Sequence, residues 1–181
     1  VRVPEPGETI VATPRLLLRM WRDDDAEPFA AINADRDVTA FVGGPLDRVA
    51  SDALLARSVA YWHEHGYGRA AVEERDGSRL LGYVGLGGHG AVPGAVEIGW
   101  RLARDVWGRG YATEAAAAMR DRAFGAYGLD HLVSVARPDN PASLGVMRAI
   151  GMRYWRDVDH AGLRLSVYSL RHDDGPQQPL R

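Results

Sequence analysis

The run Leu102-Ala103-Arg104-Asp105-Val106-Trp107-Gly108-Arg109-Gly110-Tyr111-Ala112-Thr113-Glu114 joins two kinds of periodicity. Just before it, Val96, Ile98, Trp100 and Leu102 alternate with Glu97, Gly99 and Arg101, the two-residue period of a β-strand. Just after it, Ala116, Met119, Ala123 and Tyr127 recur on one helical face, predicting a helix over residues 113–127. Between them stand two glycines one residue apart. Glycine lets a chain turn sharply and approach a ligand closely. The unpaired N–H groups at a helix start favour an anion. The segment therefore reads as a candidate pyrophosphate cradle. A plain strand-to-helix loop with Thr113 as N-cap is the competing account. The third glycine of a dinucleotide fingerprint is absent.

Outward from this run, the pattern is that of one mixed α/β domain over residues 13–171, without internal repeats or linkers. Residues 1–12 read as an extended leader. Arg15 to Met20 is a strand, and Asp23, Asp24 and Asp25 supply capping chemistry for a helix over about 24–34. Gly43-Gly44-Pro45 breaks the chain, and from Ser51 a second helix sets Leu54, Leu55, Val59 and Trp62 on one face. Gly68 to Glu74 and Arg79 to Leu86 form a hairpin about Arg75-Asp76-Gly77-Ser78, followed by a glycine-rich turn, Gly87 to Gly94. Beyond the central helix come a strand from His131 to Ala136 and a helix from Pro141 to Ile150. A closing hairpin, Tyr154 to Val158 with Leu163 to Leu170, leads to a polar, flexible tail over 172–181.

Composition narrows the chemistry. Of 181 residues, 22 are basic, and every one is arginine; cysteine is absent as well. No lysine excludes a Walker phosphate loop, a pyridoxal Schiff base and a lysine nucleophile. No cysteine excludes a thiol nucleophile, disulfides and thiolate metal sites. The net charge of −2 does not suggest a nucleic-acid partner. No apolar stretch is long enough to span a bilayer, and Val1 to Ile10 is polar with two prolines, so neither a membrane nor a signal peptide is expected; the default location is cytoplasmic. Val1 in place of Met suggests an unusual start or a trimmed chain. His63 and His65 do not share a helix face, and no metal site is expected from the histidines.

With these residues in view, the sequence resembles the Gcn5-related N-acetyltransferases (GNAT), and within them the RimJ/RimL-type branch of ribosomal-protein N-terminal acetyltransferases. Trp107-Gly108-Arg109-Gly110-Tyr111-Ala112-Thr113-Glu114-Ala115 is similar to their motif A, although Trp107 departs from the general pattern's first position. Thr13-Pro14-Arg15-Leu16-Leu17-Leu18-Arg19 resembles the branch's opening strand, and Glu97-Ile98-Gly99-Trp100-Arg101-Leu102 the strand feeding motif A. Asn140-Pro141-Ala142-Ser143, followed by Met147, Ile150, Gly151 and Met152, resembles motif B. The resemblance implies a single domain with a mostly antiparallel sheet, splayed at its middle and flanked by helices. It also implies direct transfer of acetyl from acetyl-CoA to an amine, without a metal; a homodimer stays open as the assembly.

The resemblance further implies roles for named positions. Backbone amides from Gly108 to Ala112 would hold the coenzyme's pyrophosphate, and Arg104 and Arg109 its outer phosphates, unless these are solvated surface residues. The edge of the strand ending at Leu102 would hold the pantetheine arm and Asn140 would secure it; Trp107, Tyr111, Thr113 and Ser143 are further coenzyme contacts. Asn140 is equally an ideal N-cap before Pro141. Glu97 is the candidate general base; the competing accounts are an exposed sheet-face carboxylate or a salt bridge with Arg101. The tyrosine that protonates the leaving thiolate in many relatives is replaced by Met147, leaving Ser143, Tyr168, Tyr111 or water. The acceptor is expected to be a protein N-terminus. A small-molecule amine (amino acid, polyamine or antibiotic) and a non-catalytic acyl-CoA-binding domain are the alternatives.

Overall fold

A computed structural model describes residues 2–173. In chain order the elements are β1 (Thr9–Ala12), β2 (Leu16–Arg19), a 3₁₀ turn (Asp23–Asp25), α1 (Ala26–Ala34), α2 (Arg36–Thr39), α3 (Arg48–His65), β3 (Arg69–Glu74), β4 (Leu80–Gly88) and β5 (Val96–Leu102). A second 3₁₀ turn (Arg104–Val106) precedes α4 (Tyr111–Gly125), β6 (His131–Ala136), α5 (Pro141–Ala149), β7 (Arg153–His160) and β8 (Leu163–Arg171).

The strands form one sheet in the order β1-β2-β3-β4-β5-β6-β8-β7. Every neighbouring pair is antiparallel except β5 and β6. A parallel pair needs a crossover, and α4 provides it. β4 and β5 stay in register from Gly82↔Leu102 to Gly88↔Val96. β5 and β6 meet in register only at Glu97↔Val133. Past Glu97 the two strands part, so the Trp100-Arg101-Leu102 end of β5 faces a gap instead of a neighbour. The β4–β5 approach depends on Gly82, whose φ is +135°; a Cβ there would lie 2.0 Å from the Arg101 carbonyl oxygen.

Helices cover both faces. Ile98 and Leu102 pack with Ala115, Ala116, Met119 and Ala123 of α4 and with Leu144 and Met147 of α5. On the other face Trp21, Phe29, Ala71, Leu80 and Tyr83 gather under Leu54, Leu55 and Val59 of α3. Beside this second cluster sits a largely buried ion group. Arg19, 2% exposed, donates to both oxygens of Asp25 at 2.7 Å and to Glu73 at 2.6 Å, and Arg22 adds a 2.9 Å bond to Glu73. Buried charges persist only with this degree of pairing.

Three expectations change. Thr9–Ala12 is no leader: it pairs with β2 through Val11↔Leu18 and Ala12↔Leu17, with Ile10 buried. α2 is additional, capped by Asp35, whose side chain accepts from the N–H groups of Asp37 and Val38. The central helix begins at Tyr111, two residues earlier than expected, for a reason that belongs to the site. The expected flexible tail lies, from residue 174 on, outside the described residues. Among the described residues no helix is long and apolar enough to cross a membrane.

Candidate active site

Gly108 and Gly110 both take left-handed conformations, φ +73° and +77°. That backbone region is open to glycine and strained for other residues. Gly110 thereby becomes the N-cap of α4, and no side chain caps the helix. Thr113 is the third residue of the helix, not its cap; the next N–H, that of Glu114, already bonds to the Gly110 carbonyl at 3.0 Å. The N–H groups of Tyr111, Ala112 and Thr113 are thus the ones a helix start leaves without intrahelical acceptors, in a position suited to an anion. Nothing lies within 4 Å of where a Gly108 Cβ would stand. The loop is also tied back to the strand it leaves, because the Trp107 indole N–H donates to the Leu102 carbonyl at 2.9 Å.

The opening strand holds this loop from behind. Arg15 donates to the Arg109 carbonyl (2.8 Å) and through Nε to Glu114 (2.6 Å). Glu114 also accepts from the Thr13 hydroxyl at 2.6 Å and the Arg15 N–H at 3.1 Å. These contacts hold its carboxyl below the usual carboxylate range, against the raising effect of partial burial. Sequence reasoning matched Thr13 and Arg15 only to a strand; their role in seating the loop depends on Glu114, about a hundred residues away, and has no local signal.

In front of the loop opens a largely apolar cavity of about 510 Å³. Trp100, Arg101 and Leu102 of β5 line it, with Trp107, Gly108 and Gly110–Thr113 on one side and Asn140, Ser143 and Val146 on another. Val38, Phe41 and Val42, from α2 and the segment after it, form a further wall. Asn140 caps α5 as anticipated: its Oδ1 accepts from the Ser143 N–H and its Nδ2 donates to Ser143 Oγ, both at 3.1 Å. Neither of the two arginines expected at the outer phosphates is among the residues lining this cavity. Arg104 stacks over Trp107 at 4.8 Å and reaches Asp37 at 3.3 Å. Arg109 lies over the Tyr111 ring at 4.7 Å, in a second cleft shared with Arg15, Glu74, Asp76 and Gly77.

Glu97 stands where β5 and β6 meet, 7% exposed, so it is not an exposed sheet-face carboxylate. Its ion neighbour is Arg69 at 3.9 Å, not Arg101. Burial pushes its carboxyl up to about 7; the Arg69 charge and the Val135 N–H pull weakly the other way. Arg69 is itself fixed by two indoles: Trp21 and Trp62 both donate to its carbonyl, at 2.8 and 2.9 Å. Its guanidinium lies 5.2 Å from the centre of the Tyr83 ring. The candidates for a proton donor are spread out. Met147 is buried in the core, Tyr111 Oη is 3.2 Å from Glu74, and Tyr168 Oη accepts from Arg148 at 3.4 Å. Among these candidates Ser143 and Tyr111 line the cavity.

An uncapped helix start behind two left-handed glycines, a parted strand pair and a buried carboxylate at the parting form one arrangement. Residues 15–153 match the acetyltransferase (GNAT) domain. The chain is a GNAT acetyltransferase. It is 31% identical over 174 residues to the uncharacterized protein YkkB of Bacillus subtilis (strain 168), covering 90% of this chain and 95% of that one. It is 27% identical over 146 residues to the uncharacterized N-acetyltransferase YoaA of the same organism, covering 80% and 82%. An acetyltransferase structure from Agrobacterium tumefaciens str. C58 superposes with a TM-score of 0.80 at 30% identity, over 90% of this chain and 94% of that one. More distant structures share the fold alone. One is the RimL ribosomal L7/L12 alpha-N-protein acetyltransferase in complex with coenzyme A, at 16% identity and TM-score 0.77 over 92% and 99% of the two chains. Another is a spermidine N-acetyltransferase from Vibrio cholerae with CoA and spermine, at 17% and 0.72 over 89% and 98%. The acetyltransferase is therefore an acetyl-CoA-dependent N-acetyltransferase with a single-domain GNAT fold.

Proposed function

We propose that this acetyltransferase moves acetyl directly from acetyl-CoA to the primary amine of a protein N-terminus. The observation that carries the reading is Glu97: a buried carboxyl pushed up to about 7, where β5 and β6 meet, on the strand whose Trp100–Leu102 end lines the cavity. Acetyl-CoA supplies an activated thioester and a thiol leaving group. The chain's own residues supply orientation and a proton acceptor. Backbone N–H groups from Gly108 to Ala112 and at Thr113 hold the coenzyme's pyrophosphate at the start of α4. The free edge of β5 at Leu102, Trp107, and the Asn140–Ser143 cap guide the pantetheine arm. Glu97 takes a proton from the acceptor ammonium, directly or through one water, so that a neutral amine attacks. With no cysteine in the chain, no acyl-enzyme thioester forms.

Support for a polypeptide acceptor comes from the rim of the cavity, where Phe41 and Val42 are exposed apolar side chains suited to an entering peptide. The resemblance of Thr13–Arg19 to the RimJ/RimL branch supports it too. The test is thiol release from acetyl-CoA with N-terminal peptides, amino acids and polyamines as acceptors. Peptide-dependent release is expected. Release with small amines alone replaces the acceptor, and tight CoA binding with no release from any of them overturns acetyl transfer.

A further inference from the structure

Glu97 and Arg101 lie on the same face of β5, with Gly99 between them. Arg101 lines the cavity. Its Nη1 donates to Asn33 Oδ1 at 2.6 Å, and Asn33 Nδ2 donates to Ser51 Oγ at 2.9 Å. Asn33 and Ser51 are fully buried. α1 and α3 thus aim one arginine through a neutral relay, and the guanidinium lies 5.8 Å from the centre of the Tyr83 ring. The relay immobilises Arg101 without neutralising it. Among the described residues no ion pair joins Arg101 to a carboxylate, and Asn33 uses one of the five N–H donors a guanidinium carries. The other charged residue on the cavity wall, Asp37, is paired with Arg104. A pre-oriented guanidinium with donors to spare is matched by a carboxylate.

We infer that Arg101 receives a carboxylate of the acceptor, so that the preferred N-terminal peptide carries an acidic side chain within its first three residues. The inference rests on the N-terminal acetylation proposed above and names its substrate class. The spacing fits. Four residues of strand separate Glu97 from Arg101, about 13 Å at roughly 3.3 Å per residue. Glu97 leans toward Gly99, where a Cβ would be 3.8 Å from its carboxyl carbon, which shortens the span. An extended peptide with its amine at Glu97 brings the side chain of its second or third residue to Arg101. Gly99 adds no side chain between them; a Cβ there would have only the Glu97 carboxyl within 4 Å. A polyamine offers no carboxylate and meets an uncompensated positive charge.

The test compares peptides bearing Asp at position two or three with their Asn counterparts, and with spermidine, using the wild-type chain and Arg101→Met. Coenzyme A binding is measured by calorimetry for both. The expected result is a preference of about tenfold or more in kcat/KM for acidic over neutral peptides, the size of one charge-assisted pair. Arg101→Met collapses that ratio toward one, mainly through KM, while coenzyme A affinity holds. If Arg101→Met fails to fold by circular dichroism, Arg101→Lys replaces it and is expected to retain only part of the preference. Equal wild-type rates with acidic and neutral peptides sink the carboxylate assignment and leave N-terminal acetylation standing. Acetylation of no peptide sinks the reading beneath it. Weakened coenzyme A binding with unchanged peptide selectivity moves Arg101 to the coenzyme and overturns the inference.

Discussion

Glu73 and Glu97 are carboxylates of the same type on the same sheet, 3% and 7% exposed. Glu73 is met by two guanidinium groups, Arg19 at 2.6 Å and Arg22 at 2.9 Å. Glu97 has one guanidinium, 3.9 Å away, and a backbone N–H. The first carboxylate is a brace that locks β2 and the following 3₁₀ turn onto β3. The second is under-served, and burial pushes it up to about 7, where a proton can be taken and returned. The two carboxylates differ little in depth; they differ in the number of close donors.

The largest expected effect lies on the scaffold side. Arg19→Met leaves Asp25 with the Arg22 backbone N–H and Glu73 with one guanidinium, and should destabilise the fold by about 3–5 kcal/mol in urea unfolding. A loss under about 1 kcal/mol would remove the contrast between brace and base. Next in size, Glu97→Gln should keep the native circular dichroism and lower kcat/KM by about a hundredfold, abolishing the acid limb of the pH–rate profile near pH 7. A variant that keeps both rate and limb assigns the base elsewhere. Smaller again is Arg15→Met, which frees the Arg109 carbonyl and removes the ion pair to Glu114. It should weaken coenzyme A binding about five- to tenfold in calorimetry, with kcat little changed.

The smallest effect concerns pH and stability. In the folded state Glu97 titrates near 7, against 4.5 for an unperturbed glutamate. Below about pH 4.5 both states hold the proton. Between there and 7 only the folded state does, so the contribution of Glu97 to stability is present at low pH and is lost as pH rises through 7. Raising the pH from 5 to 8 should therefore lower the Tm of the wild type more than that of Glu97→Gln, by a few degrees. Parallel Tm curves for the two proteins would contradict the raised Glu97.

What could be read from sequence follows how local its cause is. The passage from β5 through the glycine pair into α4 was legible because period, turn residue and helix start follow one another along the chain. The Asn140–Pro141 start of α5 was legible for the same reason, as capping is a contact three residues long. The N-cap at Gly110 was missed because Thr113 offers the stronger side-chain signal, while the left-handed backbone at Gly110 starts the helix sooner. β1 was missed because only its pairing with β2 distinguishes a strand from an extended leader. Glu97 was found by its phase on β5, but its partner was misjudged: Arg101 is close in sequence, and Arg69 is brought near through β3 and β4. Arg104 and Arg109 were assigned to the outer phosphates through the resemblance; in the structure Arg104 meets Trp107 and Asp37, and Arg109 meets Tyr111 and Glu74.

The tie from Thr13 and Arg15 to Arg109 and Glu114 has a consequence for assembly during synthesis. The contact order of the coenzyme loop is high. Its supports, Thr13 and Arg15, leave the ribosome about a hundred residues ahead of the loop itself. A nascent chain therefore has no seated loop until Glu114 has been made. The same linkage runs in reverse: a ligand that secures the loop shifts the local opening equilibrium of β2. Slowed amide exchange at Leu16 to Arg19 would then report occupancy at a site those residues never touch.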